Sequence, residues 1–386
     1  MEKIKEKIWD IVVVGAGPAG AMASYQLAKR GVSVLLVERA SFPRQKVCGS
    51  CLNAASVSLL QEEGLGDILI RSRAPVLSEL QIACGSSRAV ISLPEGAALS
   101  REVLDQELVR EAVARGVSFL DQTQATMGND AESSTRMIRL LRGQEEIFVQ
   151  ARVVLSADGL GGQFLEKETG FAAIHEPAAR IGVGKIFRDA PRFYEPGKIY
   201  IACGNHGYLG LVRLEDGRLN AAAAMDREFL KDCGGAGKAA GKILEENHLP
   251  FIDEMEGPNW LGTFPLTRKR DIFAARQIFV IGDSAGYTEP FTGEGIAFAL
   301  AMGIAVADFA AEGLREWTPQ LERDWTKHYR ELVICRQTLS RVLAKILRHS
   351  LMTQAMVQIL SRFPQLASPW IEKTNLIASR VPALCH

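Results

Sequence analysis

The chain has 386 residues, 47% of them hydrophobic and 23% charged, with 45 basic and 45 acidic side chains. That length supports a large core and two lobes, and a net charge of zero argues against a nucleic-acid binder, which carries a basic excess. Seven cysteines, scattered at 48, 51, 84, 203, 233, 335 and 385, do not form a secreted disulfide scaffold and are expected of a reducing, cytoplasmic setting.

The opening MEKIKEKIWD is partly basic, but the apolar run after it turns glycine-rich and lacks an A-x-A site, so no signal peptide is read there. IVVV at 11–14 is short, apolar and β-branched, as suits a fully buried parallel strand. The sequence G-A-G-P-A-G follows. Gly15 permits a tight turn, Gly17 lets the backbone approach a pyrophosphate, and Gly20 lets helix and strand pack closely. A helix is predicted over 18–30, with Pro18 and Ala19 in its first turn and its positive end toward phosphates. Gly31 stops it. VSVLLVE returns as a second strand ending in Glu38, before Arg39, where an acidic group binds ribose hydroxyls. This pattern implies a dinucleotide without separating FAD from NAD.

Segments 76–98 and 177–264 read as short strands and turns, predicting an antiparallel sheet that floors an apolar pocket. Tyr208, Arg213, His206, Trp260 and Phe264 are its candidate lining residues. LSREVLDQELVREAVARGV, 99–117, contains a helix opening near Arg101. ARVVLSADGLGGQ, 151–163, holds a strand over 152–155 that ends in Asp158-Gly159. GGAGKAAGK, 234–242, nominally fits a glycine motif, but a charged segment precedes it, and it is read as a turn opening a helix. A strand over 278–281 ends in Gly282-Asp283, followed by a loop with Pro290 and Gly293 and a helix beginning near Gly295 and Ile296. Carboxylates at the C-terminal ends of parallel strands sit on the ligand-binding edge. The uncharged run 295–307 is too short to span a bilayer and reads as a buried helix. The tail, 331–386, is helical and amphipathic: Arg341, Lys345 and Arg348 share one face, and Leu339, Val342, Ile346 and Leu347 another. It is either an interfacial helix making peripheral membrane contact or, the preferred reading, a solvated face on a helix closing the pocket.

These segments together resemble the p-hydroxybenzoate-hydroxylase-like FAD superfamily. Within it, GDSAGYTEPFTGEGI at 282–296 and PRQKVCG at 43–49 resemble the geranylgeranyl reductase family, whose loops read roughly GDAAG-x-x-x-P-x-T-G-E-G-I and P-x-x-K-x-C-G. The resemblance implies an α/β (α+β) fold: a Rossmann-like FAD-binding domain, an interleaved antiparallel-sheet substrate domain and a helical C-terminus. The corresponding division is 1–75, 99–176 and 265–330 for FAD, 76–98 and 177–264 for substrate, and 331–386 for the tail. It implies FAD contacts at Gly15, Gly17, Pro18, Ala19, Gly20, Glu38, Arg39, Lys46, Cys48, Gly49, Arg101, Asp158, Gly282, Asp283, Pro290, Gly293, Gly295 and Ile296. The chain departs from the family at 161–164, where Gly-Gly-Gln-Phe replaces the usual Ser and Arg, and at 208–213, where Gly210 stands for the Trp of Y-x-W-x-F-P.

Cys48 and Cys51 in PRQKVCGSC raise four readings. A zinc site lacks a second ligand pair, and no metal is expected. A thioredoxin-like pair would open a helix in another fold. A pyridine-nucleotide disulfide reductase would carry a second nucleotide motif mid-chain. The preferred reading is a loop passing the isoalloxazine ring. In it Gly49 and Ser50 are small, Lys46 or Arg44 supplies positive charge, Cys48 lines the site and Cys51 begins a helix.

The expected function is an FAD-dependent oxidoreductase on a hydrophobic small molecule, reducing a carbon–carbon double bond with electrons from NAD(P)H or another donor. The alternative is a monooxygenase acting through a C4a-hydroperoxide on an aromatic or polyketide-like substrate, with an electron carrier or disulfide reductase behind it. The catalytic residues stay open; Cys48, Tyr208 and Arg213 are candidates.

Overall fold

The computed structural model describes residues 4, 7–128, 134–289, 291 and 293–375, apart from the side chains of 175, 333–342 and 344. Strand β1 (Ile8–Val14) leads through the glycine turn into helix α1 (Pro18–Lys29), and the chain returns as β2 (Val34–Val37). β1 and β2 pair in parallel, Val14 beside Val37. Ile11 to Val14 of β1 are all buried, which is why that stretch is a continuous apolar run and not an alternation.

The chain then leaves this sheet. Helix α2 (Ala54–Glu62) is capped by Asn53, whose Oδ1 accepts from Ser56 N. Strands β3 (Val76–Cys84) and β4 (Ser87–Ala98) form a hairpin in a second sheet. Helix α3 (Arg101–Ala114), capped by Ser100, brings the chain back to β5 (Ser118–Leu120), and β6 (Glu145–Ser156) pairs in parallel with β1. The strand expected at 152–155 is the buried end of this longer one. Four strands follow in the second sheet: β7 (Ile181–Phe187), β8 (Lys198–Gly204), β9 (Gly207–Arg213) and β10 (Leu219–Met225), with β11 (Leu261–Pro265) at its edge. β12 (Ile278–Val280) then rejoins β6 in parallel.

The first sheet therefore runs β12-β6-β1-β2-β5, and the second β11-β7-β10-β9-β8-β3-β4. The second was expected to be antiparallel. Its described strands pair that way except for β8 and β3, which run parallel with Ala202 beside Ala83. Between β3 and β8 the chain forms β4, passes through the first sheet and returns as β7, and so re-enters beside β3 in that direction.

Helix α4 (Gly295–Arg315) is long and apolar enough to cross a membrane by length and composition, with a mean hydropathy of 1.6. It packs inside the protein against α1: a Cβ on Gly303 would lie 2.6 Å from Ala19 O. Helix α5 (Pro319–Ile346) begins well before the expected tail boundary at 331. Helix α6 (Ser350–Arg362) crosses the second sheet, α7 (Ser368–Asn375) packs against α2 and α5, and Leu347, Val357, Leu360 and Ala367 share a core cluster with Ile82, Ile91, Ile201 and Tyr208. Thus Leu347 faces inward, as does Leu343, and the exposed Lys345 and Arg348 lie on the outer side. Leu339, Arg341 and Val342 lie outside the described side chains. The turn at 234–235 does open a helix, Ala236–Glu246.

Candidate functional site

Parallel pairing aligns the C-terminal ends of β1, β2, β6 and β12. Gly15, Glu38, Asp158 and Asp283 therefore emerge along one edge of the first sheet. A single cavity of about 410 Å³ runs along this edge. It brings together Gly15, Gly17, Pro18, Ala19, Glu38, Arg39, Lys46, Cys48, Gly49, Arg101, Asp158, Gly282, Asp283, Gly293, Gly295 and Ile296. Gly20 lies beneath it, and Pro290 falls outside the described residues.

The glycines of the first turn do different work. Gly15 has φ +105°, and a Cβ there would stand 2.3 Å from Ala157 O. At Gly20 a Cβ would stand 1.9 Å from Gly15 O, so helix and turn touch through backbone. Gly17 is different: its Cβ position meets only Arg101 Nη2 at 3.6 Å and Arg44 Nη2 at 3.8 Å. Gly17 is also the N-cap of α1, with no side-chain cap, so its turn presents free N–H groups toward two guanidiniums.

Those guanidiniums are held by one carboxylate. Asp105, fully buried, accepts from Arg101 Nε and Nη2, both at 2.8 Å, and lies 2.9 Å from Arg44 Nη1. Burial disfavours the Arg101 charge, but Asp105 outweighs it and raises the pKa above the ordinary range. Glu38 anchors the other side: it accepts from Ala16 N at 3.1 Å, Ala40 N at 3.1 Å and Arg44 Nη2 at 3.3 Å. Even so, Arg44 Nε is buried with no hydrogen-bond partner, and Nη1 meets Asp105 only as an ion pair. Two cations, uncapped helix N–H groups and an orphaned arginine donor around an open turn fit a pyrophosphate.

The two strand-end aspartates divide their labour. Asp158 is spent on structure: its Oδ1 accepts from Ser284 Oγ at 2.6 Å and Ser156 Oγ at 3.1 Å, and its Oδ2 from Phe164 N at 3.0 Å. It ties β6 to β12 and shapes the 159–164 turn, where this chain departs from the family. Asp283 makes no hydrogen bond to a described residue. Burial raises its pKa against the opposing pull of Lys46, Arg101 and Arg268. Lys46 lines the cavity, where desolvation, then Arg44 and Arg101, lower its pKa while Glu38 and Asp283 pull it back. A carboxylate and an ammonium thus line one cavity with the uncapped first turn of α4.

The 48–51 loop lies on the same wall. Ser50 N donates to Cys48 Sγ at 3.4 Å, and Cys51 Sγ donates to Gly49 O at 3.2 Å. Burial, then Cys48, pushes the Cys51 thiol up, the reverse of what an attacking thiolate needs. Both are free thiols. Asn220 Nδ2 holds Cys48 O at 2.9 Å, fastening this loop to β10.

Beyond the loop the cavity turns apolar. Leu80, Ile82, Ile91, Ile201, Tyr208 and Leu266 line it from the sheet, and Met356, Leu360, Trp370 and Ile371 from the tail. Tyr208 stands edge-on to Phe291, ring centroids 5.0 Å apart, and burial, then Glu289, raises its pKa well above normal. Of the other expected lining residues, Arg213 donates to the carbonyls of Ala190, Pro191, Tyr194 and Gly217 away from the cavity. His206 stacks on Phe229, Trp260 donates to Met255 O, and Phe264 is exposed. Sequence reading missed Asp105, Ser284 and the tail residues. Arg101 and Asp105 stand at i, i+4 on a helix, which was a usable signal; Ser284 and Trp370 carried none.

Fold and site together define an enzyme that holds a dinucleotide cofactor against an apolar compartment. The family described as FAD binding domain matches residues 9–212, and the chain belongs to it. It is similar to the digeranylgeranylglycerophospholipid reductase of Methanocaldococcus jannaschii, 22% identical over 357 residues covering 88% of either chain. In fold it is similar to a geranylgeranyl bacteriochlorophyll reductase-like protein of Thermoplasma acidophilum, with a TM-score of 0.77 at 17% identity and 92% of each chain covered. It also resembles the flavin-dependent brominase Bmp2, with a TM-score of 0.76 at 18% identity, covering 96% of this chain and 94% of that one. The chain is an FAD-dependent oxidoreductase, and the resemblance to geranylgeranyl reductases read in its sequence is carried by these relatives.

Proposed function

We propose that this enzyme reduces a carbon–carbon double bond in an elongated apolar substrate, drawing electrons from NAD(P)H or another donor. The observation that carries the reading is the continuity of one cavity, from the glycine turn to an aliphatic compartment under the tail helices. When bound, FAD supplies hydride-transfer chemistry in its reduced form. The turn at 15–17 with Arg44 and Arg101 would take its diphosphate, and Glu38 the adenosine ribose. Lys46, Asp283 and the 48–50 loop would surround the ring. Leu80, Ile82, Ile91 and Ile201 would hold the substrate chain and exclude water from it.

Reduction of an alkene also needs a proton. Tyr208 carries a hydroxyl proton on the cavity wall and is the group we assign to supply it. Cys48 lines the same wall, on the loop fastened through Asn220. One observation favours hydroxylation as a second reading. Gly210 lines the cavity where the reductase pattern has Trp, leaving a wider wall.

Anaerobic turnover separates the two. With chemically reduced enzyme and polyprenyl alkenes, the expected product carries two added hydrogens and forms without dioxygen. Oxygenated product formed only in air would replace this reading with the monooxygenase.

A further inference from the structure

Five exposed large apolar side chains lie close together in sequence where the tail covers the cavity. In 351–366, Leu351 is 80% exposed, Met352 52%, Ile359 51%, Phe363 52% and Leu366 55%. Met352, Ile359 and Phe363, with the exposed Ala355 between them, recur at helical spacing and form an outer stripe on α6. The inner stripe of the same helix, Thr353, Val357 and Leu360, is buried against the second sheet. Helix α6 is therefore apolar on both faces, although a surface helix needs only one.

Charge distinguishes this layer as well. Residues 332–371 contain no Asp or Glu, but they contain Arg336, Arg341, Lys345, Arg348 and Arg362, in a chain whose acidic and basic totals are equal at 45. Lys345, Arg362 and Lys373 are exposed around the stripe. Arg348 is partly committed inward, donating to Ala178 O at 2.9 Å with Glu289 4.0 Å away. Aliphatic and aromatic side chains set among cations, with Glu372 beside Lys373 as the nearest acidic residue in sequence, complement an anionic bilayer surface.

We propose that the outer face of 351–366 is a membrane-docking surface that seats the enzyme on an anionic lipid bilayer. Leu351, Met352, Ile359, Phe363 and Leu366 enter the headgroup boundary, and Lys345, Arg362 and Lys373 meet lipid phosphates. The same segment lines the apolar cavity through Met356 and Leu360, so docking places the bilayer one helix thickness from the compartment. This purpose rests on the proposed function. The docking itself does not, and its test reads vesicle association, so failure of one is distinguishable from failure of the other.

The surface differs from the one in the less favoured, interfacial reading of the sequence. That reading placed the membrane contact within 339–348, but Leu343 and Leu347 are buried in the core. The anchoring side chains lie on the following helix, where the sequence shows apolar residues on every side.

The test is sedimentation of FAD-loaded enzyme with vesicles of phosphatidylcholine, with and without phosphatidylglycerol. The enzyme is expected to pellet with the anionic vesicles and much less with phosphatidylcholine alone. Combining Met352→Gln, Ile359→Gln and Phe363→Gln should lower the bound-to-free ratio at least about tenfold while leaving the flavin absorption spectrum unchanged. Combining Lys345→Gln, Arg362→Gln and Lys373→Gln should bring anionic binding down toward the phosphatidylcholine level. Three results would overturn the proposal. The unaltered enzyme fails to pellet with either vesicle, the variants bind as well as it does, or the apolar variant converts a dimer to a monomer. The last would show that a second copy of the chain occupies the face.

Discussion

Gly20→Ala yields a protein that folds poorly and retains no FAD, whereas Gly17→Ala folds normally and binds FAD weakly. The contrast follows from where each new Cβ falls. At Gly20 it would stand 1.9 Å from Gly15 O and 3.1 Å from Ala157 Cβ. Two backbone segments would have to separate, at a cost of at least about 3 kcal/mol. At Gly17 the nearest atoms are guanidinium nitrogens at 3.6 and 3.8 Å, so the apoprotein accepts the methyl group. That methyl occupies the space between the turn and Arg44 and Arg101, where the diphosphate has to lie. Melting temperatures of the apoproteins and FAD titrations together check the pair. Gly17→Ala should leave the apoprotein melting temperature within the error of measurement and raise the Kd for FAD at least about tenfold, equivalent to about 1.4 kcal/mol.

Asp105→Asn lowers the melting temperature of the apoprotein more than that of the FAD-loaded enzyme. The carboxylate is buried and holds both arginines of the turn, with side-chain exposures of 1% for Asp105, 8% for Arg44 and 12% for Arg101. Neutralising it leaves Arg101 without its counter-charge and Arg44 with Glu38 alone in an enclosed site. Removing one partner from such a pair costs about 3–5 kcal/mol. A bound diphosphate restores negative charge at the same place and offsets part of that cost. Thermal unfolding with and without saturating FAD reads the difference directly, since a ligand bound only by the folded state stabilises it by mass action. Equal losses in both forms would show that Asp105 only packs α3 and takes no part in balancing the site.

The part of this site that was legible in sequence is the part built locally. Between 8 and 39 the strand, turn, helix and second strand are each written in adjacent residues. Their apolar runs and glycines mean what they do because β1 is buried on both faces. Asp158 and Asp283 were legible as strand-end carboxylates, but not their division of labour. That division depends on Ser284, which reaches across from β12 to take up one oxygen of Asp158. Glu38 was expected at a ribose; its two backbone acceptances also hold the turn and the following loop. The direction of β8 against β3 was not legible, because alternation along a strand reports its faces and not its neighbour's direction. A tail helix closing the pocket was legible, but not the side chains it supplies. Met356, Leu360 and Trp370 become cavity residues only because the chain returns more than 250 residues after β3 and β4 to lie across them. An apolar helix gives no hint of which of its sides will meet a cavity.

The claim on which the rest depends is that cofactor and substrate share one cavity, with the ring end of the first opening on the aliphatic compartment of the second. Titrating the FAD-loaded enzyme with a non-reacting saturated polyisoprenoid, while recording the visible flavin bands, tests this without turnover. A saturable shift of those bands is expected, and it should be weakened by Ile201→Asp, which places a charge in the compartment wall. Binding of the polyisoprenoid by a direct measurement with no change in the flavin bands would contradict the shared cavity.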